Sequence, residues 1–91
     1  MNYKLFEHIK VKKFFKKHKN DKDLLLRINK KYVEILDNPY DSEFKELYSK
    51  KCPKCHRARV GDYRIIFYVS QKNHQIEILD IIPRKKNYRL F

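Results

Sequence analysis

At 91 residues with 42% hydrophobic side chains, the chain is sized for one domain, 1–91, around one modest core. Twenty-three Lys and Arg against 11 Asp and Glu give a formal net charge of +12, a self-repelling balance that suits an anionic partner such as nucleic acid. The longest apolar run, Ile65-Ile66-Phe67-Tyr68-Val69, is far shorter than the roughly 20 residues of a membrane helix, so no membrane span is expected.

In chain order, residues 2–7 predict a short first strand. Residues 8–19 read as a basic helix with Val11, Phe14 and Phe15 on one side. Asn20 offers an N-cap to a second helix, with Asp21 and Asp23 in its first turn, where the helix dipole favours anions. Leu25, Ile28, Tyr32, Ile35 and Leu36 recur along it at helical spacing, and Asn38-Pro39 ends it. A polar connection containing Phe44 and Leu47 leads to a strand at 56–60. Gly61-Asp62 then fits a two-residue hairpin loop with glycine at its first central position. A strand at 63–70, a turn at 71–74, a strand at 75–82 and a basic aromatic tail at 83–91 complete the chain. The order β-α-α-β-β-β predicts an α+β domain, a helical hairpin packed on one face of a twisted antiparallel sheet.

The cations are unevenly distributed. Twelve of 17 lysines lie in residues 1–50, whereas Arg57, Arg59, Arg64, Arg84 and Arg89 are five of the six arginines. Arginine presents a planar fork that grips phosphate through two hydrogen bonds; lysine is a solvated point charge. Strand alternation puts Arg57 and Arg59 on one face of their strand and Arg64, with Ile66 and Tyr68, on one face of the next. Tyr63, Ile65, Phe67 and Val69 form the larger apolar surface and are expected to meet the helices. The uncovered face then carries Arg57, Arg59 and Arg64, with Arg84 leaving the third strand beside them. Salt bridges to Glu77 or Asp80 are the structural use of such arginines, but two acids cannot satisfy four cations.

Cys52-Pro53-Lys54-Cys55-His56 matches the C-x-x-C-H pattern of c-type haem attachment. Haem is not expected, because attachment goes with export, and Lys4, Glu7 and His8 interrupt any apolar signal stretch in the first ten residues. Zinc would find three ligands in Cys52, Cys55 and His56, but His8, His18 and His74 offer no fourth at a diagnostic spacing. A redox pair is the other use. The expectation is two reduced loop cysteines in a cytoplasmic protein, with no metal and no cofactor.

The string Arg57-Ala58-Arg59-Val60-Gly61-Asp62-Tyr63-Arg64-Ile65-Ile66-Phe67 resembles the central hairpin of the RelE/ParE toxin superfamily, in particular archaeal-type RelE toxins. Ile81-Ile82-Pro83-Arg84 followed by Tyr88 resembles that family's last strand and C-terminal catalytic segment. The helical hairpin ending at Asn38-Pro39 is similar as well, so the resemblance covers nearly the whole chain. It implies a toxin of a type II toxin–antitoxin system, a ribosome-dependent endoribonuclease that cuts mRNA in the ribosomal A site and is silenced by a cognate antitoxin.

The resemblance also implies roles. Arg64 matches the arginine that stabilises the phosphorane-like transition state, and Arg84 the one that holds the phosphate or assists the leaving 5′-oxygen. Tyr88 falls where some members place a functional tyrosine. Arg57 and Arg59 match RNA-contacting strand residues, and Lys85 and Lys86 extend that RNA-binding set into the tail. Some relatives have histidine before the last arginine, where this chain has Pro83, which leaves the chemistry to cations and Tyr88. Two alternatives compete: a ParE-like DNA gyrase poison without nuclease activity, and a nonenzymatic nucleic-acid-binding module. Arg57, Arg64 and Arg84 together favour the nuclease, since a gyrase poison needs no arginine phosphate site.

Overall fold

The computed structural model describes residues 3–47, 52 and 54–85. The elements run β1 (Lys4–Glu7), α1 (Ile9–Lys17), α2 (Lys22–Asp37), β2 (Lys45–Leu47), β3 (Cys55–Val60), β4 (Tyr63–Ser70) and β5 (Gln75–Pro83). The five strands form one sheet in the order β1-β5-β4-β3-β2. The expected α+β plan holds, with two differences. β1 pairs in parallel with β5, Lys4 opposite Gln75 through Glu7 opposite Ile78, so the sheet is mixed rather than wholly antiparallel. An added edge strand, β2, pairs with β3 across Glu46 and His56.

The helices are shorter than the sequence pattern suggests. α1 stops at Lys17, where His18 caps it by donating its backbone N–H to the Phe14 carbonyl. Asp21, not Asn20, is the N-cap of α2; its side chain accepts the Leu24 N–H at 3.2 Å. Leu24, Ile28, Tyr32 and Ile35 form the buried stripe of α2, and Leu25 is displaced to a half-buried flank. They pack with Val11 of α1 onto Ala58, Val60, Ile65, Phe67, Val69, Ile76, Ile78 and Ile81 of the sheet, so the helical face buries the larger apolar set as expected. Phe15 of α1 meets the Tyr32 ring edge-on at 6.3 Å, joining the two helices.

The single-core expectation needs correcting. Leu47, Cys55, Ile66 and Ile82 form a second, small buried cluster on the opposite face of the sheet. A bulge at Ile66/Phe67 assists it. Ile66 faces Asp80 and Phe67 faces Ile78, which leaves Leu79 as the extra residue, packed against that cluster. The whole stretch Ile65-Ile66-Phe67 is therefore fully buried, because both faces of central β4 are covered.

The β3–β4 turn is Gly61-Asp62, between the paired residues Val60 and Tyr63. Gly61 has φ +55° while Asp62 does not enter the positive region, the pattern of a turn with glycine at its first central position. His74, at φ 52°, closes the β4–β5 turn; its carbonyl accepts the Lys4 N–H and its ring stacks on Tyr3 at 4.5 Å.

Tyr32 donates its hydroxyl to Glu7 Oε2 at 2.9 Å, tying α2 to β1. Burial, reinforced by the Glu7 charge, pushes its phenol well above the ordinary tyrosine range. The folded phenol keeps its proton at a pH where the unfolded one has lost it. Its contribution is complete below about pH 10 and is lost as the pH rises further. Urea titrations at pH 8 and pH 11 should show a steeper alkaline loss of stability in the wild type than in Tyr32→Phe.

Cys52 and Cys55 form a disulfide, which corrects the expectation of reduced thiols. The chain turns tightly enough to bring the two Cα atoms to 5.4 Å, and the Cys55 N–H bonds the Cys52 carbonyl at 3.3 Å. So short a loop removes little unfolded-state entropy, so reduction should lower stability by only about 2 kcal/mol. Matched urea denaturation curves with and without dithiothreitol test this, and Cys52→Ser/Cys55→Ser should match the reduced protein and remain folded.

Candidate nucleic-acid interface

Antiparallel register places the arginines. β3 alternates, so Ala58 and Val60 enter the helical core while Arg57 and Arg59 share the open face. Lys45 of β2 lies directly opposite Arg57, and Arg59 directly opposite Arg64 of β4. Two like-charged cross-strand pairs therefore sit side by side on one face. Such pairs are destabilising by themselves, by an amount comparable to the roughly 0.2–1 kcal/mol that an opposite pair contributes.

Two depressions open on this surface. One, of about 210 Å³, is lined by Glu43, Lys45, Arg57, Arg59 and Arg64. The other, of about 580 Å³, is lined by Asp62, Arg64, Pro83, Arg84 and Lys85. Arg64 lines both. Its neighbour across the sheet on the other side is Ile82 of the second cluster, so a packed apolar floor holds the base of its side chain. Arg84 is held by its backbone, whose N–H bonds the Asp62 carbonyl at 2.7 Å and ties the end of β5 to the β3–β4 turn.

The predicted set therefore divides cleanly. Arg57, Arg59, Arg64, Arg84 and Lys85 converge on the open face, with Arg57 and Arg64 half-buried and Arg59, Arg84 and Lys85 exposed. Tyr88 and Lys86 lie outside the described residues. Lys45 and Glu43 were missed by sequence reasoning. Their one signal is the position of Phe44 between them: it is buried with the helices, which turns Lys45 to the opposite face.

Two acids and three histidines have partners of their own. Glu77 meets His8 Nε2 at 3.2 Å, and Glu43 Oε2 accepts from Lys31 Nζ at 2.7 Å. His18 stacks on Phe14 at 4.1 Å. His56 faces the helices, stacked on Phe67 at 5.5 Å, and burial lowers its pKa despite the opposing charge of Glu46. No histidine among the described residues lines either arginine depression. The site can thus neutralise and orient a phosphate through several guanidinium forks, without an imidazole.

The model of the ParE toxin of type II toxin–antitoxin systems, parDE, matches residues 7–88. The chain belongs to this family. Across 35 residues it is 40% identical to Toxin RelE of Mycobacterium tuberculosis (strain ATCC 25618 / H37Rv), a match covering 38% of this chain and 36% of that protein. Solved structures agree in fold. The YoeB/ParE toxin from Agrobacterium tumefaciens superposes with a TM-score of 0.77 at 14% identity, over 88% of this chain and 96% of that one. The E. coli RelBE toxin–antitoxin complex gives 0.69 at 18% identity, over 93% and 100%. The archaeal RelE–RelB complex from Pyrococcus horikoshii OT3 gives 0.55 at 28% identity, over 96% and 100%. The chain is a member of the RelE/ParE superfamily, and its α+β fold is the one those toxins share.

Proposed function

We propose that this ParE-family toxin is a ribosome-dependent endoribonuclease that cuts mRNA in the ribosomal A site and so inhibits translation in the cytoplasm. The observation that carries this reading is Arg64, shared by two depressions whose other cations are Arg57 and Arg59 on one side and Arg84 and Lys85 on the other. A ribose 2′-oxygen, losing its proton, attacks the adjacent phosphorus. The bond to the 5′-oxygen breaks, and that oxygen takes up a proton. The products are a 2′,3′-cyclic phosphate and a 5′-hydroxyl. Negative charge grows on the non-bridging oxygens during attack, and Arg64 with Arg57 or Arg59 is disposed to receive it. Arg84 is disposed toward the leaving oxygen. The ribosome supplies in-line geometry by holding the message still.

A cognate antitoxin is the second partner in this proposal. Relatives crystallised as RelBE and RelE–RelB complexes support it, and so does a sheet face on which like charges stand opposite one another. The competing reading, poisoning of DNA gyrase, draws on the ParE name of the family but gives Arg59 and Arg64 no task. Expression followed by sequencing of RNA 5′-ends separates them. Cuts at ribosome-occupied codons, with 5′-hydroxyl ends, are expected. Intact messages with gyrase-linked DNA breaks would transfer the assignment to the gyrase reading.

A further inference from the structure

The activity proposed above is cytoplasmic, and cytoplasmic thiols are kept reduced. Disulfides that occur there are usually transient, made and broken in response to the redox state. The place of the Cys52–Cys55 bridge on the sheet gives it something to control. Cys55 begins β3 and is fully buried, two residues before Arg57 on the same face. It stands opposite Leu47 of β2 on one side and Tyr68 of β4 on the other. Cys52 is half-buried and packs against the small cluster of Leu47, Cys55, Ile66 and Ile82. The bridge thus lies in the apolar floor next to Arg57.

β2 depends most on its state. It is an edge strand of three residues, paired to β3 alone, and Leu47 is its one buried side chain. Leu47 faces Cys55; two residues earlier Lys45 faces Arg57 and lines the smaller arginine depression. Once the bond is broken, the two sulfurs can no longer sit within covalent distance. Cys55 is fully buried between two strands and has no room to give, so Cys52 must move off the cluster. That uncovers Leu47 and loosens the strand that carries Lys45.

We propose that the Cys52–Cys55 bridge is a thiol-exchange site that switches the arginine face: closed, it clamps β2 and keeps Lys45 beside Arg57; opened, it releases β2 and weakens the grip on RNA phosphate. The effect on RNA rests on the reading above, whereas the release of β2 does not. The half-buried Cys52 sulfur is the accessible one. A thiolate attacks it, the bond between the two sulfurs breaks, and its electron pair goes to Cys55 Sγ, which takes up a proton. A second thiol attacks the mixed disulfide at the sulfur of the first, and Cys52 leaves and is protonated in turn. Two small thiols are oxidised to their disulfide, and the bridge gains two electrons and two protons. The net charge of +12, with exposed Lys54 between the two cysteines, draws an anionic thiol to the site.

The test equilibrates the whole protein in glutathione buffers of fixed thiol-to-disulfide ratio and measures its affinity for a short single-stranded RNA by fluorescence anisotropy. The oxidised form should bind more tightly by up to about fivefold, the worth of one exposed ion contact. Reduction should flatten the dependence of log affinity on log salt by about 0.7, as for one phosphate no longer neutralised. Cys52→Ser/Cys55→Ser should bind like the reduced protein in every buffer. Lys45→Ala should bind weakly in both states, with the redox difference gone. Amide hydrogen exchange reads the release of β2 without RNA: reduction should speed exchange at Lys45–Leu47 and leave the amides of Ile65, Ile66 and Phe67 protected. Equal exchange at β2 in the two states would overturn the switch. Equal, measurable RNA affinity in both states would overturn it too, as would a redox difference that survived Lys45→Ala. If reduction loosened β2 but neither form bound RNA, the RNA reading alone would fall and the exchange site would stand.

Discussion

Arg64→Ala should lower message cleavage on purified ribosomes by on the order of 10²–10³ and leave the fold in place, the usual effect of removing one preorganised donor from a charge-stabilising site. Arg64 is singled out because it alone among the described residues lines both arginine depressions. Arg64→Lys should recover little, since an ammonium cannot engage two phosphate oxygens in one plane. Arg84→Ala should be comparably damaging. Arg59→Ala has a distinctive signature: it lowers activity while relieving the like-charge pair with Arg64, so stability should hold or rise by up to about 1 kcal/mol. Single changes at the exposed Lys12, Lys13 or Lys16 remove only one screened charge each and should matter far less. A folded Arg64→Ala/Arg84→Ala double variant that still arrested growth at wild-type levels would refute the nuclease mechanism.

The largest effect on stability is expected at Phe67→Ala, a loss of about 3–5 kcal/mol. Phe67 is fully buried on the central strand, packs the Phe44 ring edge-on at 5.7 Å and carries His56 on its face. Its neighbours come from the sheet, the helices and the segment before β2, so the site cannot collapse around a cavity without moving several elements at once. Small domains have only about 5–15 kcal/mol in total, so the variant should unfold at much lower urea than the wild type. Ile66→Val, which trims one methylene from the second cluster, should lose only about 0.5–1.5 kcal/mol. Equal losses at the two positions would mean that the two faces of the sheet bear the fold equally, contrary to the packing.

The arginine face was legible because alternation along a strand has a period of two and needs no knowledge of neighbours. Once 56–60 and 63–70 read as strands joined by Gly61-Asp62, the side of the sheet that Arg57, Arg59 and Arg64 occupy followed. What depended on distant partners was not legible. The pairing of β1 with β5 is chosen by where α1 and α2 deliver the chain, and nothing local in Lys4–Glu7 announces a parallel partner. β2 is three residues, two of them charged, too short to show a period. The disulfide depends on how tightly the chain turns between Cys52 and Cys55, which spacing alone leaves open between metal, thiol and bridge. Asn20 and Asp21 are both good caps; the choice between them was made by which one lets Leu24 rather than Leu25 reach the core. At the site, Lys45 stayed hidden with β2.

The parallel pairing of β1 with β5 bears on when the fold is completed. His8 bonds Glu77 across 69 positions of sequence, and the four register pairs beside them are equally remote. Contacts of such high order form late, after loop-closure entropy has been met by the rest of the fold. On a chain emerging from its own ribosome, Lys4–Glu7 waits unpaired until Gln75–Ile78 has been made, and α1 has no complete surface to rest on until then. Arg84, the cation that β5 carries to its end, is later still. A nascent chain of this topology therefore completes its sheet, and brings Arg84 beside Arg64, only after residues 75–84 have been made.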